Sequence, residues 1–196
     1  MSRWVYTWEQ RKLGEISTKV IEKNITLTIT EALTNSAEFG IISQRDFFDK
    51  DIANAESLSG YYVVRHEDFV YNPRISTLAS VGPINRNKLG RAGVMSPIYT
   101  VFRTCDDAEN VFIEQFFKSC HWHSFMKSNG DSGARSDRFS IKDSVFFNMP
   151  IPLPRQEEQQ RVGSFLSELD DLITLHQRKL EHLQVLKKAL LQRVFV

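Results

Sequence analysis

Residues 69–105 hold side chains that could bind nucleic acid. This stretch of 37 residues contains no Asp or Glu but five Lys or Arg residues. Arginine and lysine bind phosphate oxygens, arginine reads guanine, and asparagine reads adenine through paired hydrogen bonds. A locally basic segment can face phosphates although the whole chain has a formal net charge of only +1. The candidate nucleic-acid contacts here are Arg74, Asn85, Arg86, Asn87, Lys88 and Arg91.

A second group of possible donors follows in a glycine-punctuated stretch. Its members are Lys127, Asn129, Arg135 and Arg138. The densest donor run, NRNK at residues 85–88, lies between Pro83 and Gly90 and is predicted to be a loop. Loops on a rigid frame often carry recognition residues. The alternative is that these are solvated loop charges with no nucleic-acid partner.

The sequence lacks a complete catalytic or cofactor motif. Asn72-Pro73 resembles the start of the Asn-Pro-Pro-aromatic motif of amino-methyltransferases, but Arg74 stands where the second proline belongs. The glycines at 82, 90 and 93 fit neither a dinucleotide-binding fingerprint nor a phosphate-binding loop. We therefore expect no catalytic residue and no cofactor in this chain.

The cysteines and histidines do not suggest a metal site. Cys120, His121 and His123 lie close together, but on a helix His121 and His123 would point to different faces. Cys105 and Cys120 are too few for a disulfide framework, so we predict that both are reduced and buried. The sequence shows no apolar run of membrane-spanning length and no secretory signal, which predicts a cytoplasmic protein that does not bind a membrane.

From Arg155 onward the chain carries apolar residues at alternating steps of four and three. The repeat predicts one long helix of about forty residues, roughly 60 Å at 1.5 Å per residue. A 3.5-residue period is typical of a coiled-coil seam. Two seam residues, His176 and Lys187, are polar, which costs stability but fixes the pairing register. The predicted pairing positions are Val162, Leu166, Leu169, Ile173, His176, Leu180, Leu183, Lys187 and Leu190, with Val194 continuing the series.

Local signals define the ends of this helix. Pro150, Pro152 and Pro154 favour extended backbone before the helix and are predicted to form a stiff hinge. Glu157 and Glu158 lie near the positive end of the helix dipole, and cationic residues lie near its negative end. The alternative is a helix that packs on its own domain, for which the apolar face is usually broader.

The remainder of the chain is predicted to be an α+β domain with short strands and much loop. Residues 8–16 are predicted to form a short helix, and residues 108–125 a second one that Asp106 or Asp107 could cap. The predicted strands are ITLTIT at 25–30, YYVV at 61–64, DFVY at 68–71 and IYTVF at 98–102. Tyr71 is expected in the core, and Asn72 is expected to hold a turn before Pro73.

Several stretches together resemble the specificity (S) subunit of type I restriction-modification systems, and in particular one half of it. They are WEQRKLGEI (8–16), FGIISQRDFFDKDIA (39–53), DFVYNPR (68–74), GRAGVMSPIYTVF (90–102), IPLPRQEEQQRV (151–162) and LDDLITLHQRKLEHLQVLKKALLQ (169–192). The proline-to-helix transition and the helix are the most specific of these. The resemblance implies a target-recognition domain at residues 1–150, followed at 151–196 by the proline hinge and a coiled-coil spacer helix.

The resemblance also implies a function. Such a chain would read double-stranded DNA without catalysing a reaction, and would dock modification (methyltransferase, M) and restriction (R) subunits. S-adenosylmethionine, ATP and Mg would bind those partners rather than this chain. A typical S subunit has two recognition domains and two antiparallel helices, whereas this chain has one of each. It would therefore be a fragment or would pair with a second copy, and an antiparallel homodimer would read a gapped DNA site with inverted halves.

An adaptor function is the main alternative. In that case the long helix would still pair, but the globular part would bind protein and the basic loops would be incidental.

Overall fold

The computed structural model describes residues 8–48, 57–131 and 137–195 of the 196-residue chain. It is an α+β structure with short strands and one long C-terminal helix, as predicted. The strands are β1 (Glu9–Lys12), β2 (Ser17–Lys19), β3 (Leu33–Ser36), β4 (Gly40–Ser43), β5 (Tyr62–Val64), β6 (Phe69–Tyr71), β7 (Ile84–Arg86), β8 (Gly93–Met95), β9 (Thr100–Thr104) and β10 (Pro150–Leu153). The α-helices are α1 (Leu13–Ile16), α2 (Gln44–Phe48), α3 (Asn110–Lys118), α4 (His123–Asn129), α5 (Asp143–Phe146) and α6 (Gln156–Val194), and a 3₁₀ turn spans Ser57–Gly60.

A four-stranded antiparallel sheet lies at the centre of the globular body. Its strand order is β2-β9-β6-β7. Because side chains alternate across a strand, Phe69 and Phe102 face the larger core cluster, whereas Val70 and Val101 face a smaller one on the other side. The larger cluster also receives α3, α4 and α5, so the sheet is covered on both faces.

The two ends of the globular body meet in a small sheet. β1 pairs antiparallel with β10, and Leu13 N donates to Met149 O at 2.8 Å. Prolines are tolerated here because a two-stranded sheet has only edge strands. The predicted extended conformation of the proline segment is confirmed, but Pro150–Leu153 is a strand of the globular body, and the predicted boundary at residue 150 falls inside it.

The first turns of α6 are anchored to the globular body. Gln159 is fully buried, and its amide nitrogen donates to Asp107 O at 3.0 Å and to Pro154 O at 2.9 Å. Gly163 lies so close to α3 that a Cβ atom at this position would approach Phe112 N to 2.9 Å. Farther along, Asp170 accepts hydrogen bonds from Lys118 Nζ at 2.7 Å and Gln115 Nε2 at 3.0 Å. Beyond Asp170 the described residues of α6 are exposed on every side.

We expect the attachment of α6 through Asp170 to weaken in acid. Hydrogen bonds from Lys118 and Gln115 hold the pKa of Asp170 below its usual value. A carboxyl group with a lowered folded-state pKa contributes stability above the unfolded-chain pKa, about 3.9, and loses it as pH falls through the folded-state value. The free energy of unfolding of Asp170→Asn should therefore fall furthest short of wild type above about pH 4, and the deficit should shrink as pH falls below that through the lowered folded-state pKa. A constant difference across this range would exclude the ion pair as the cause.

The structure corrects five local predictions. Residues 25–30 are not a strand, because the Asn24 side chain bonds both backbone groups of Ile29 and closes a loop, with Leu27 at a φ of 54°. Cys105 and Cys120 are exposed rather than buried. The predicted helix at 8–16 is β1 followed by α1, and the one at 108–125 is divided into α3 and α4. Glu109, rather than Asp106 or Asp107, occupies the N-cap position of α3. The Glu109 side chain makes no capping hydrogen bond.

Other local predictions are confirmed. Tyr71 is buried, and its hydroxyl donates to Val81 O at 2.9 Å. The Asn72 side chain accepts from Arg74 N at 2.9 Å and so holds the turn around Pro73. Strands occupy most of the predicted residues in 61–64, 68–71 and 98–102.

Candidate nucleic-acid interface

A cleft of about 560 Å³ opens beside the central sheet. One wall is made by two distant segments that pair with each other: Arg74 bridges Arg138, and Phe139 N donates to Pro73 O at 2.7 Å. Another wall is made by β3, the turn between β3 and β4, and α2. The cleft therefore brings together two of the predicted DNA contacts, Arg74 and Arg138, which are far apart in the sequence.

The two predicted cations that line this cleft, Arg74 and Arg138, make few charged contacts within the described residues. The Arg74 side chain is 64% exposed, and its guanidinium lies 3.6 Å from an Asp137 carboxylate oxygen, at the outer limit of an ion pair. Arg138 is half-buried and forms no ion pair within residues 8–48, 57–131 and 137–195. Both charges are thus available to an anionic partner such as a phosphate.

An amide network beneath the cleft fixes its walls. Asn35 is fully buried, and its Nδ2 donates to Val70 O at 2.7 Å. Its Oδ1 accepts from Asn85 Nδ2 at 2.7 Å, and its backbone oxygen accepts from Asn72 Nδ2 at 2.7 Å. Asn85 Nδ2 also donates to Ser36 O at 3.1 Å. The amide donors of Asn85, which the sequence suggested for base reading, therefore hold the β3–β4 hairpin on the sheet.

The wall that includes α2 carries exposed aromatic side chains. Phe47 and Phe48 of α2 lie edge to face, with ring centroids 4.6 Å apart, and both line the cleft. Gln44 lies beneath them; its Nε2 donates to Leu33 O at 3.3 Å, and its buried Oε1 has no partner in the described part of the chain. Aromatic faces beside cations can stack on bases or wedge between base steps. This wall was not predicted from the sequence, although the adjacent aromatic residues after a charged pair in QRDFF were a usable signal.

The structure removes Arg86 from the candidate interface. Its side chain is only 10% exposed, and its guanidinium contacts Glu114 Oε2 at 2.5 Å and Glu67 Oε2 at 2.6 Å. Arg86 also lies in strand β7 rather than in the predicted loop. Burial alone would raise the pKa of Glu114, but Arg86 and Lys88 lower it below its usual value. Arg86 is therefore a structural counter-ion inside the fold.

The neighbouring candidates of Arg86 are also engaged within the fold. Asn87 is completely buried, and its amide nitrogen donates to Arg65 O at 2.9 Å and to Arg91 O at 3.0 Å, so it has no surface for DNA. Lys88 is exposed and lies 3.0 Å from Glu114 Oε1. Arg91 forms a surface ion pair in which two of its nitrogens each lie 2.7 Å from Glu31.

The second predicted group lies in and after α4. Lys127 and Asn129 are exposed, and Asn129 Nδ2 donates to Phe125 O at 2.9 Å. Arg135 lies outside the described residues. The backbone of Asp131 pairs with Ser140, which places the end of α4 next to the segment that carries Arg138.

The predicted pairing positions of α6 form an apolar stripe that no described residue covers over most of its length. Val162 packs against the larger core cluster, so this predicted pairing residue serves the chain's own body. From Ile173 to Val194, by contrast, the pairing positions are exposed, and Leu183 retains half of its surface. Exposed Phe165, Leu172 and Leu186 flank the pairing positions. The apolar face is therefore broader than the predicted pattern of two apolar positions in each heptad. A helix with such a face is stabilised by pairing with another helix.

Among the residues that the structure describes, no three His, Cys, Asp or Glu side chains are grouped to hold a metal ion. Within the same residues, no helix has both the length and the apolar character needed to cross a bilayer.

Comparisons with known proteins agree on one family. Residues 6–185 match the family model described as type I restriction modification DNA specificity domain. A 55-residue stretch is 34% identical to the specificity subunit of the type I restriction enzyme MjaVIII from Methanocaldococcus jannaschii, covering 28% of this chain and 13% of that protein.

Two solved structures share the fold. The HsdS subunit from Thermoanaerobacter tengcongensis superimposes with a TM-score of 0.59 at 18% identity, over 91% of this chain and 46% of that chain. A chain from a structure of type I R-M complex assembly and conformational transition gives a TM-score of 0.63 at 17% identity, with the same coverage. The present chain thus spans about half the length of these solved relatives.

Proposed function

Since this chain belongs to the type I restriction modification DNA specificity domain family, we propose that its globular body reads one half of a bipartite DNA site. Specificity subunits of this family recognise DNA sequence and are non-catalytic. In the proposed assembly, methyl transfer and ATP-driven cleavage belong to partner M and R subunits, which bind S-adenosylmethionine, ATP and Mg. The assembly acts in the cytoplasm, where its DNA substrate lies.

The cleft between Arg74 and Arg138 is the observation that carries this proposal. Its lining includes two cations with no strong partner among the described residues and two exposed aromatic rings. In this arrangement the arginines bind phosphates and position the duplex, while Phe47 and Phe48 contact bases or sugars. Lys127 and Asn129 extend the polar surface past α4.

The free part of α6 supports the second half of the proposal. A helix of 39 residues is roughly 60 Å long at 1.5 Å per residue. If two copies pair along antiparallel helices, their reading bodies lie at opposite ends of a rod nearly two turns of B-DNA in length, at about 34 Å per turn. Such a homodimer reads two short inverted sequences separated by an unread spacer, and the paired helices form the surface on which modification subunits dock.

Replacing both cleft arginines tests the DNA-reading role. Arg74→Ala with Arg138→Ala should weaken binding and reduce the magnitude of the log–log salt slope by about 2, because two fewer counterions are released. The measurement is duplex binding by gel shift over a range of salt concentrations, with the modification subunit present, after selection of a gapped motif from a random pool.

The matched control is Arg65→Ala with Arg91→Ala. It removes the same charge, but Arg65 and Arg91 are already paired with Glu22 and Glu31 at the surface. The control should retain most of the wild-type affinity. Equal losses of DNA affinity in the two double variants would show that the cleft arginines act only through the overall charge. Unchanged affinity in the cleft variant would exclude the cleft from the DNA-binding site.

A protein-binding adaptor remains a second candidate because of one observation. Phe39, Phe47 and Phe48 form an exposed aromatic cluster on the β3–β4 hairpin and α2. Such a cluster also suits a protein surface. Failure to enrich any DNA sequence in the presence of the modification subunit would favour the adaptor.

A further inference from the structure

The free part of α6 contains two polar residues at positions that should be apolar. His176 and Lys187 interrupt a stripe otherwise made of Leu, Ile and Val between Leu169 and Val194. Both side chains are exposed, and no described residue covers the stripe beyond Asp170. In a paired helix, a polar residue costs least where it meets another polar group. The two residues therefore constrain how a second helix can pack on this one.

We propose that two copies of this chain pair antiparallel in a single register, in which His176 of each copy faces Lys187 of the other. The inference rests on the proposed self-assembly and specifies its geometry. In an antiparallel coiled coil, each a position of one helix faces a d position of the other helix. Ile173 then faces Leu190, Leu180 faces Leu183, and Leu169 faces Val194 of the second copy.

Parallel self-pairing is disfavoured by the same residues. A parallel pair would place each residue opposite its own copy, so Lys187 would face Lys187 in the apolar seam. Two ammonium groups a few ångströms apart with little water repel strongly. In the antiparallel register the ammonium of Lys187 can instead donate a hydrogen bond to a neutral imidazole of His176.

Moving the antiparallel pair by one heptad in either direction loses this match. A longer overlap would bring Val194 of the second copy opposite Val162, which the globular body already covers beside Phe112. A shorter overlap would place Lys187 against Leu183 and His176 against Val194 of the second copy. In both cases the two polar residues face aliphatic side chains.

The flanking positions are compatible with the proposed register. Gln177 lies beside Gln184 of the second copy, where their amides can bond each other. Lys179 lies beside Leu186 and Arg193 beside Leu172, so that the aliphatic stems of the cations cover leucine side chains. No two like charges face each other along these flanks.

The register sets the distance between the two reading bodies. Its two-fold axis passes between Glu181 and His182. The two Gly163 residues, where α6 meets α3, are then about 55 Å apart at 1.5 Å per residue. A shift of one heptad would change this distance by about 10 Å, which corresponds to about 3 base pairs. The polar pair therefore fixes the length of the unread spacer.

Cysteine crosslinking of the full chain tests the register. In a background with Cys105→Ser and Cys120→Ser, a mixture of Ile173→Cys and Leu190→Cys chains should form a disulfide-linked dimer on mild oxidation, because paired Cα atoms come within disulfide reach. Three controls report the other arrangements. Ile173→Cys mixed with Leu183→Cys reports the longer overlap, Leu180→Cys mixed with Leu190→Cys the shorter one, and Ile173→Cys alone a parallel pair.

Preferential crosslinking of the first mixture, by about tenfold or more over each control, is the expected result. Preference for any control would overturn the register. Monomeric behaviour in all mixtures would overturn the pairing itself, yet it would leave the DNA-reading proposal intact, because sequence enrichment with the modification subunit is a separate measurement.

The polar pair is tested by removing it. His176→Leu with Lys187→Leu should give a dimer at least as tight as wild type, because apolar residues replace the polar layer. Its crosslinks should spread from the first mixture to those that report shifted registers. If this variant crosslinks as selectively as wild type, the two polar residues do not set the register.

Discussion

Replacing Arg86 with alanine is expected to lower the free energy of unfolding by about 3–5 kcal/mol, because it leaves carboxylates inside the fold without their counter-ion. The Glu114 side chain is only 10% exposed and accepts a hydrogen bond from Arg86 Nε at 2.8 Å. Glu67 accepts a hydrogen bond from Arg86 Nη1 at 2.6 Å. The Glu67 carboxylate also accepts from Asn110 Nδ2 at 2.9 Å, so this network joins β7, the turn before β6 and α3. Urea denaturation followed by circular dichroism measures the loss.

Two further variants identify the cause of that loss. Arg91→Ala breaks an exposed ion pair with Glu31 and should cost at most about 1 kcal/mol. Adding Glu114→Gln to Arg86→Ala removes the uncompensated charge and should restore part of the stability. If Arg86→Ala folds as stably as wild type but binds DNA more weakly, Arg86 belongs to the interface and not to the framework.

Replacing Leu183 with glutamate is expected to dissociate the proposed dimer. Burying a leucine contributes about 1.5–3 kcal/mol, and a two-fold pair loses two such contacts while also burying two carboxylates. The dissociation constant should therefore rise by at least about 100-fold. Light scattering should report a mass near 22.7 kDa in place of twice that value. The helix and globular body should remain folded, because Leu183 contacts neither α3 nor the core clusters.

Val185→Glu is the matched control. Val185 is 68% exposed and lies on the opposite side of α6 from Leu183, so the same change of an aliphatic residue to an acid should leave the dimer intact. Dissociation by both substitutions would point to a general charge effect. If neither dissociates the dimer, α6 is not the pairing surface.

The charge of the basic stretch could not be interpreted from the sequence alone. Residues 69–105 contain no acid, yet the fold brings carboxylates from outside it: Glu31 to Arg91, Asp68 to Arg103, and Glu67 and Glu114 to Arg86. The sequence distances in these pairs reach 60 residues. A locally basic segment is therefore largely neutralised in space, and this explains why Arg86 leaves the candidate interface while Arg74 and Arg138 remain.

The long C-terminal helix could be predicted from residue order alone. The predicted start near Arg155 and the observed bounds Gln156–Val194 agree, because proline backbone restrictions, helix propensity and hydrogen bonds four residues apart are local. The sequence also indicated the exposed stripe, since a heptad repeat is readable from residue order. Residue order does not show where the apolar stripe leaves the globular body, because that point depends on the contacts of Gly163 and Asp170 with α3. The cleft was likewise a tertiary outcome: its walls come from residues 34–48, 72–78 and the vicinity of Arg138, which only packing against the central sheet brings together.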